Sequence, residues 1–325
     1  MKFRTEVEVK PFPFDINYST PTFFCGSCFT NNIGGIMQKV KMPVLINPFG
    51  VVYNPFSVAL VVQKILNAES YSPDDLTYNN GLWLSFDHYT KFSDTDKTKC
   101  LDNINLAFDN AKDFFNKTNV LIITFGTARV YELKSTGNVV ANCHKLPAKE
   151  FNHRLLGVDE IVSKWEILTN TLIKKNPSVK LIFTVSPIRH WKDGAVGNML
   201  SKAILITAIH RLIEKFKNVV FYFPSYEIMM DDLRDYRFYN DDMLHPSQQA
   251  IEYIWQKFSN AVFNSETLQL VSQIQSVIKA ANHRPLNPNT AEHQKFVKQA
   301  LSDIDNLQKQ HSNLNFDEEI NLLSN

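Results

Sequence analysis

The chain has 325 residues, 44% hydrophobic and 21% charged, and Lys plus Arg (34) nearly balance Asp plus Glu (33) for a formal net charge of +1. That balance offers no basic surplus for nucleic acid and no acidic surplus for a solvating tail, so no nucleic-acid partner is expected. The length suits about two domains, or one large α/β domain with an appendage, and 24 Phe with 11 Tyr supply ample material for a core.

In chain order, Met1 to Lys10 alternates charge and lacks the apolar centre of a signal peptide. No uninterrupted apolar run is long enough to span a bilayer, so a cytoplasmic protein with no membrane partner is expected. Thr22 to Cys25 reads as a short buried strand between Pro21 and Gly26, and from Phe29 the spacing of Ile33, Ile36, Met37 and Val40 becomes helical. A second strand, Val44 to Ile46, leads into Asn47-Pro48-Phe49-Gly50. Asn54-Pro55 then reads as an N-cap with proline at the first helical position of a helix to about Ala68. Trp83 to Phe86 is a further strand or part of an insertion. Leu101, Ile104, Phe108, Ala111 and Phe115 mark an amphipathic helix. Val120 to Phe125 is a continuous apolar strand ending at Gly126-Thr127, and Arg129 to Ala141 reads as a hairpin turning at Ser135 to Asn138. A helix through Ile161, Trp165, Leu168 and Leu172 precedes the strand Leu181 to Val185. A long helix from about Gly197 to Phe216 precedes the strand Val219 to Phe223. Strands without polar alternation, separated by amphipathic helices, predict a doubly wound α/β sandwich with a mainly parallel five-stranded sheet. Its working site lies beyond the carboxyl ends of the strands. The division expected is an α/β domain over 1–263 and a helical extension with a polar tail over 264–325. That extension is expected to pack on the core or to serve as a homo-oligomer contact.

Each distinctive motif falls at a strand end. Ser27 and Cys28 sit on a strand-to-helix turn, where helix N–H groups and the positive dipole end meet. Such a place lowers a thiol pKa and binds a developing oxyanion. Beyond the last strand, Asp242 and His245 form Asp-x-x-His. This spacing lets the carboxylate accept the Nδ1 hydrogen and leaves Nε2 free to take a proton. A capped surface turn gives the same pattern. The nucleophile ahead of Asp and His in chain order favours the catalytic alternative. Cys25-Gly26-Ser27-Cys28 also matches the redox C-x-x-C pattern, but Cys25 ends an apolar strand and is expected to face inward. Cys143, His144 and His153 have irregular spacing for zinc, with no evident fourth ligand. His88, His190 and His210 read as surface or core histidines. Arg189 to Gly194 lies on the active-site rim of this fold, as a solvated loop or in reach of an anionic substrate.

Gly26-Ser27-Cys28-Phe29-Thr30 resembles the Gly-Ser-Cys-Phe-Ala signature of the GSCFA domain family, grouped with SGNH or GDSL-type hydrolases, with Thr30 replacing the alanine. The resemblance runs over about residues 2–255. It takes in Asn47-Pro48-Phe49-Gly50, Thr124-Phe125-Gly126-Thr127 and Asp242-Met243-Leu244-His245-Pro246. It implies a flavodoxin-like three-layer α/β/α sandwich and an ester- or acyl-processing site with no metal and no cofactor. Carried over residue by residue, Cys28 is the first choice of nucleophile and Ser27 the second, with Asp242 as orienting carboxylate and His245 as general base. The superfamily's oxyanion asparagine falls on Ala128. The hole is therefore expected from the N–H groups of Cys28 and Gly50, helped by Asn54 or by Thr127 beside Gly126, or else it is degraded. His245 and the helix N-terminus are expected to lower the Cys28 pKa from about 8.5. The function expected is an esterase or acyltransferase acting on a small-molecule or glycan acyl substrate through an acyl-enzyme. The alternative is a non-catalytic binding module on the same fold.

Overall fold

The computed structural model describes residues 4–324, so Met1, Lys2 and Phe3 of the alternating N-terminal stretch, and Asn325, lie outside the described residues. Strand β1 (Thr22–Gly26), helix α1 (Cys28–Lys39), β2 (Val44–Ile46) and α2 (Pro55–Asn67) come first, followed by a small hairpin of β3 (Thr77–Asn79) and β4 (Leu82–Leu84). Helix α3 (Lys97–Phe115) feeds β5 (Val120–Phe125); β6 (Arg129–Leu133), β7 (Val139–Val140) and β8 (Phe151–Leu155) make a separate antiparallel sheet. Then come α4 (Val158–Lys175), β9 (Lys180–Val185), α5 (Gly194–Lys215), β10 (Val220–Phe223) and the single turn α6 (Ser225–Glu227). Helices α7 (Gln248–Val262), α8 (Ser265–Ala281), α9 (Ala291–Gln310) and α10 (Asp317–Ser324) complete the chain.

The main sheet has the order β10-β9-β5-β1-β2, parallel throughout. Connections leave β1 toward β2 and then cross back to β5, so the strand order reverses between β1 and β5 and opens a crevice at their carboxyl ends. Alternate residues explain the layers. Phe23, Cys25, Leu121, Ile123 and Phe125 point into one apolar cluster with α2 to α5. Phe24, Val120 and Ile122 point into the other, with α1 and α7. A parallel sheet buried on both faces needs such unbroken apolar strands. Local signals start the helices where expected. The Asn54 side chain accepts from the Phe56 and Ser57 amides, with Pro55 following, and Ala68 at φ 55° closes α2.

At three points the structure departs from the sequence reading or decides between its alternatives, each time for a physical reason. The hairpin from Arg129 gains a third strand, β8, whose Asn152, His153 and Arg154 carry no apolar alternation because they are not core residues. Trp83 and Leu84 belong to the β3–β4 hairpin, outside the main sheet. The segment Trp191–Lys215 is long and apolar enough to cross a membrane by length and composition. Its stripe of Leu205, Ala208, Ile209 and Leu212 is buried in the core beside the sheet.

Helices α8 to α10 continue the α1–α7 cluster. Leu270, Ile274, Ile304, Leu307 and Phe316 share it with Phe24 and Phe29, and Lys41 pairs with Glu319 at 2.8 Å. The N-terminal segment straps this side, with the Phe12 amide on Ala261 O (2.8 Å) and the Ile16 amide on Val262 O (2.7 Å). Phe316, 0% exposed, is therefore a core residue, and Phe316→Ala is expected to cost about 3–5 kcal/mol. Urea unfolding followed by tryptophan fluorescence and far-UV circular dichroism should show one transition at a lower midpoint. An unchanged midpoint would mean that α8–α10 do not share the core's stability.

Candidate active site

The turn after β1 is shaped by contacts that only its residues can make. Gly26 sits at φ +138°, and a Cβ there would lie 2.1 Å from Thr124 O, so β1 and β5 approach as closely as backbone permits. The Ser27 amide donates to Thr124 O at 3.1 Å. Buried Asn47, itself at φ 45°, braces the turn from the β2 side. Its Oδ1 accepts from the Gly26 amide (2.8 Å), and its Nδ2 donates to Thr30 Oγ1 (2.7 Å) and Asn31 Oδ1 (2.8 Å). The Thr30 hydroxyl donates in turn to Ser27 O at 2.5 Å. The threonine that replaces the signature's alanine thus completes the brace.

Cys28 opens α1 and lies half-buried on the wall of a cleft of about 460 Å³. His245, Asn54 and Thr127 share that cleft with Cys28. Ser27 is fully buried. Its Oγ lies 3.1 Å from where a Cβ on Gly126 would stand. It has no hydrogen-bond partner of full geometry, and the group it acts on is the neighbouring Cys28 thiol. Burial pushes the Cys28 thiol up from its ordinary value, against the lowering expected. The Ser27 hydroxyl, the Cys28 amide and the Lys202 charge pull it back down only in part.

Asp242 and His245 are joined as the motif expects. His245 Nδ1 meets Asp242 Oδ2 at 2.5 Å, while Asp242 Oδ1 accepts from the Leu244 and His245 amides, each at 2.9 Å. Met243 at φ 57° makes the turn tight enough for both. The two amides, then the imidazole, hold the Asp242 carboxyl at about 2. Asp242 lines the neighbouring cleft, and His245 lines the Cys28 cleft.

The expected oxyanion donors are mostly spent. The Gly50 amide donates to Asn47 O (2.8 Å), and the amides of Gly126 and Thr127 both donate to Tyr53 O (2.7 and 3.1 Å). Gly50 and Gly126 do not line the cleft. The Thr127 hydroxyl meets Ser201 Oγ at 3.1 Å, and Ala128 is fully buried. The Asn54 carboxamide oxygen caps α2 and its Nδ2 donates to Ser57 Oγ (2.9 Å); Asn54 is among the cleft-lining residues. The amide recorded as acting on the Cys28 sulfur is its own.

Two residues at the cleft were missed in the sequence reading. Lys202 on α5 is 1% exposed, and its ammonium donates to Gly126 O (2.7 Å) and Ser186 O (2.8 Å), clamping the carboxyl ends of β5 and β9 under the cleft. Its place was legible: Asn198, Ser201, Lys202, Leu205, Ile209 and Leu212 form one buried helical stripe. His190, expected in core or surface, lies on the cleft wall. Its Nε2 is buried without a partner, 3.3 Å from the Cβ position of Gly126. Burial, then the Lys202 charge, lowers His190 to about 4, so it is neutral at neutral pH. Of the residues considered for zinc, Cys143 and His153 line the cleft, while His144 Nε2 is turned to Ser85 O at 2.8 Å. Cys25 is buried, facing inward as expected, and burial pushes its thiol up. His88 stacks on Phe49 in the core with centroids 4.5 Å apart.

The model of the GSCFA family matches residues 21–258, and that of the GSCFA domain protein, C-terminal domain, matches residues 274–325. No curated protein matches the chain. Among solved structures, a carbohydrate esterase family 3 protein from Talaromyces cellulolyticus aligns at 12% identity and TM-score 0.36, over 78% of this chain and 98% of its own. An acetyl xylan esterase from the rumen bacterium Butyrivibrio proteoclasticus aligns at 12% identity and TM-score 0.38, over 75% of this chain and 63% of its own. Likeness at these TM-scores carries no functional weight.

Burial lowers Lys202 from 10.5 to about 7. Between those values the unfolded chain holds a proton that the folded chain does not, so this group's destabilisation fades as pH rises through that window. Lys202→Met is expected to flatten the rise in urea midpoint between about pH 7 and 9. A slope equal to wild type would show that the amine is not desolvated in the folded protein.

Proposed function

The chain belongs to the GSCFA family, and on that footing we propose that it is an acyl esterase or acyltransferase working through a covalent thioester on Cys28. The observation that carries this is the cleft at the sheet's reversal point. It presents a helix-opening thiol and a carboxylate-oriented imidazole from opposite ends of the domain. His245 Nε2 takes the thiol proton as the sulfur bonds to the acyl carbonyl carbon. The carbonyl π electrons move to oxygen, and the resulting oxyanion meets the Cys28 amide and the Asn54 carboxamide. The electron pair returns, the C–O or C–N bond breaks, and the leaving group takes the proton from His245. Water or another acceptor then attacks the thioester, with His245 again accepting and the thiol recovering its proton.

Support for Cys28 over Ser27 is access: Cys28 lines the cleft, while Ser27 is sealed beneath it. Small-molecule or glycan acyl donors belong to the same proposal, as does a cytoplasmic setting, which four unpaired cysteines favour. So does the division into 1–263 and 264–325, supported by family matches on either side of it. The competing reading, a binding module, rests on the raised thiol and the spent amides of Gly50, Gly126 and Thr127.

Intact mass after a short pulse of p-nitrophenyl acetate at neutral pH separates the two. Wild type and Ser27→Ala should carry one acetyl adduct. Cys28→Ala should carry none, and His245→Ala should acylate on the order of 10² or more slower. No adduct in wild type, with Cys28 also inert to alkylation, would favour the binding module.

A further inference from the structure

The wall of the Cys28 cleft is cationic in a chain whose formal net charge is only +1. Arg129, Arg189 and Lys192 line it, and Asp193 is the carboxylate among its lining residues. That carboxylate is already engaged, with Asp193 Oδ1 lying 3.2 Å from Arg129 Nε. Asp242 lines the neighbouring cleft and is held by His245 and two amides. Two cations remain without a carboxylate partner among the described residues. Arg189 Nε meets Met230 Sδ at 3.2 Å, and Lys192 Nζ meets the Tyr131 hydroxyl at 2.5 Å. Tyr53, Val140, Ile188 and half-exposed Trp191 supply apolar surface on the wall, beside Asn54, Thr127 and the imidazoles of His153 and His190. A low-dielectric cleft of one sign concentrates ligands of the other. Apolar walls with a few placed charges suit a small ligand with an apolar body and a charged end.

We propose that the acyl substrate carries an anionic group, carboxylate or phosphate, which seats against Arg189 and Lys192 while its carbonyl lies at Cys28. This rests on the acyl-transfer reading above. The anion takes the places that no protein carboxylate fills, and the apolar part of the substrate lies along Tyr53 and Ile188.

The test uses the full chain and reads Cys28 alkylation, which requires an accessible thiol but no acyl chemistry. Rates with anionic iodoacetate and neutral iodoacetamide are compared with those of N-acetylcysteine amide, a neutral free thiol. The iodoacetate-to-iodoacetamide ratio at low salt should exceed the free-thiol ratio by about tenfold. It should fall toward the free-thiol ratio in Arg189→Gln/Lys192→Gln and in wild type at about 1 M salt. A wild-type ratio at or below that of the free thiol, or one indifferent to the double substitution, overturns the proposal. Millimolar benzoate or phenyl phosphate should slow alkylation by iodoacetamide, and the more effective of the two identifies the preferred anion. Protection by neither also overturns it. Acylation by p-nitrophenyl acetate and by its ring-carboxylated analogue 5-acetoxy-2-nitrobenzoate is measured alongside. An acyl-enzyme from neither ester, with the iodoacetate preference intact, defeats acyl transfer and leaves the anion site standing. An acyl-enzyme formed equally from both, with no such preference, defeats the anion site alone.

Discussion

Everything in the cleft is placed by the contact of Gly26 with the Thr124 carbonyl, where no Cβ fits. Because β1 passes so near β5 there, the chain must leave the sheet at a positive φ. The next amide then bonds back to Thr124, and α1 starts with Cys28 at its rim. Gly126, at the end of β5, removes a second side chain from the same spot, and the Ser27 hydroxyl and His190 Nε2 close in around it. Two missing side chains on neighbouring strands thus decide which of two adjacent nucleophiles meets solvent and which is shut in. Asn47 holds that outcome from the other strand, with its side-chain oxygen and both amide hydrogens employed.

The ground beneath the cleft is polar and costly. A fully buried ammonium with two carbonyl partners, a hydroxyl without a full partner and an unpartnered imidazole nitrogen all lie within the packed domain. Each carries a desolvation cost that an apolar side chain would avoid. The Lys202 ammonium does have a structural task, because parallel strands end in carbonyls that the sheet no longer satisfies. It joins those of Gly126 and Ser186 across adjacent loops. The same charge lies close enough to Cys28 to oppose, in part, the effect of burial on the thiol.

Much of this was legible in the sequence where a side chain's type and its period agree. Uninterrupted runs such as Val120 to Phe125 read as parallel strands because both of their faces are buried. Asn54-Pro55 read as a helix start because capping is local. Asp242 and His245 lie three residues apart in one turn, so their pairing followed from spacing. Strand β8 was not legible, since Asn152, His153 and Arg154 are held by backbone pairing to β6 and carry no core signal. Nor was the fate of the expected oxyanion amides. The Gly126 and Thr127 amides are taken by the Tyr53 carbonyl, and that of Gly50 by Asn47 O, backbone atoms that side-chain patterns do not place. Lys202 stood on a readable apolar stripe but pointed to the site only once the loops after β5 and β9 were in place.

The continuity of the α1–α7 cluster into α8–α10 bears on how the protein is made. Phe24 and Phe29 lie near the beginning of the sequence, yet the cluster they open includes Leu314 and Phe316. The segment of Phe12 and Ile16 takes its backbone partners from Ala261 and Val262. During vectorial synthesis the early strands and α1 therefore emerge long before the residues that complete their cover. Contacts of such large sequence separation are slow to form, and the exposed apolar side is sticky in the meantime. For this chain, the vulnerable interval lies between translation of α1 and arrival of α10.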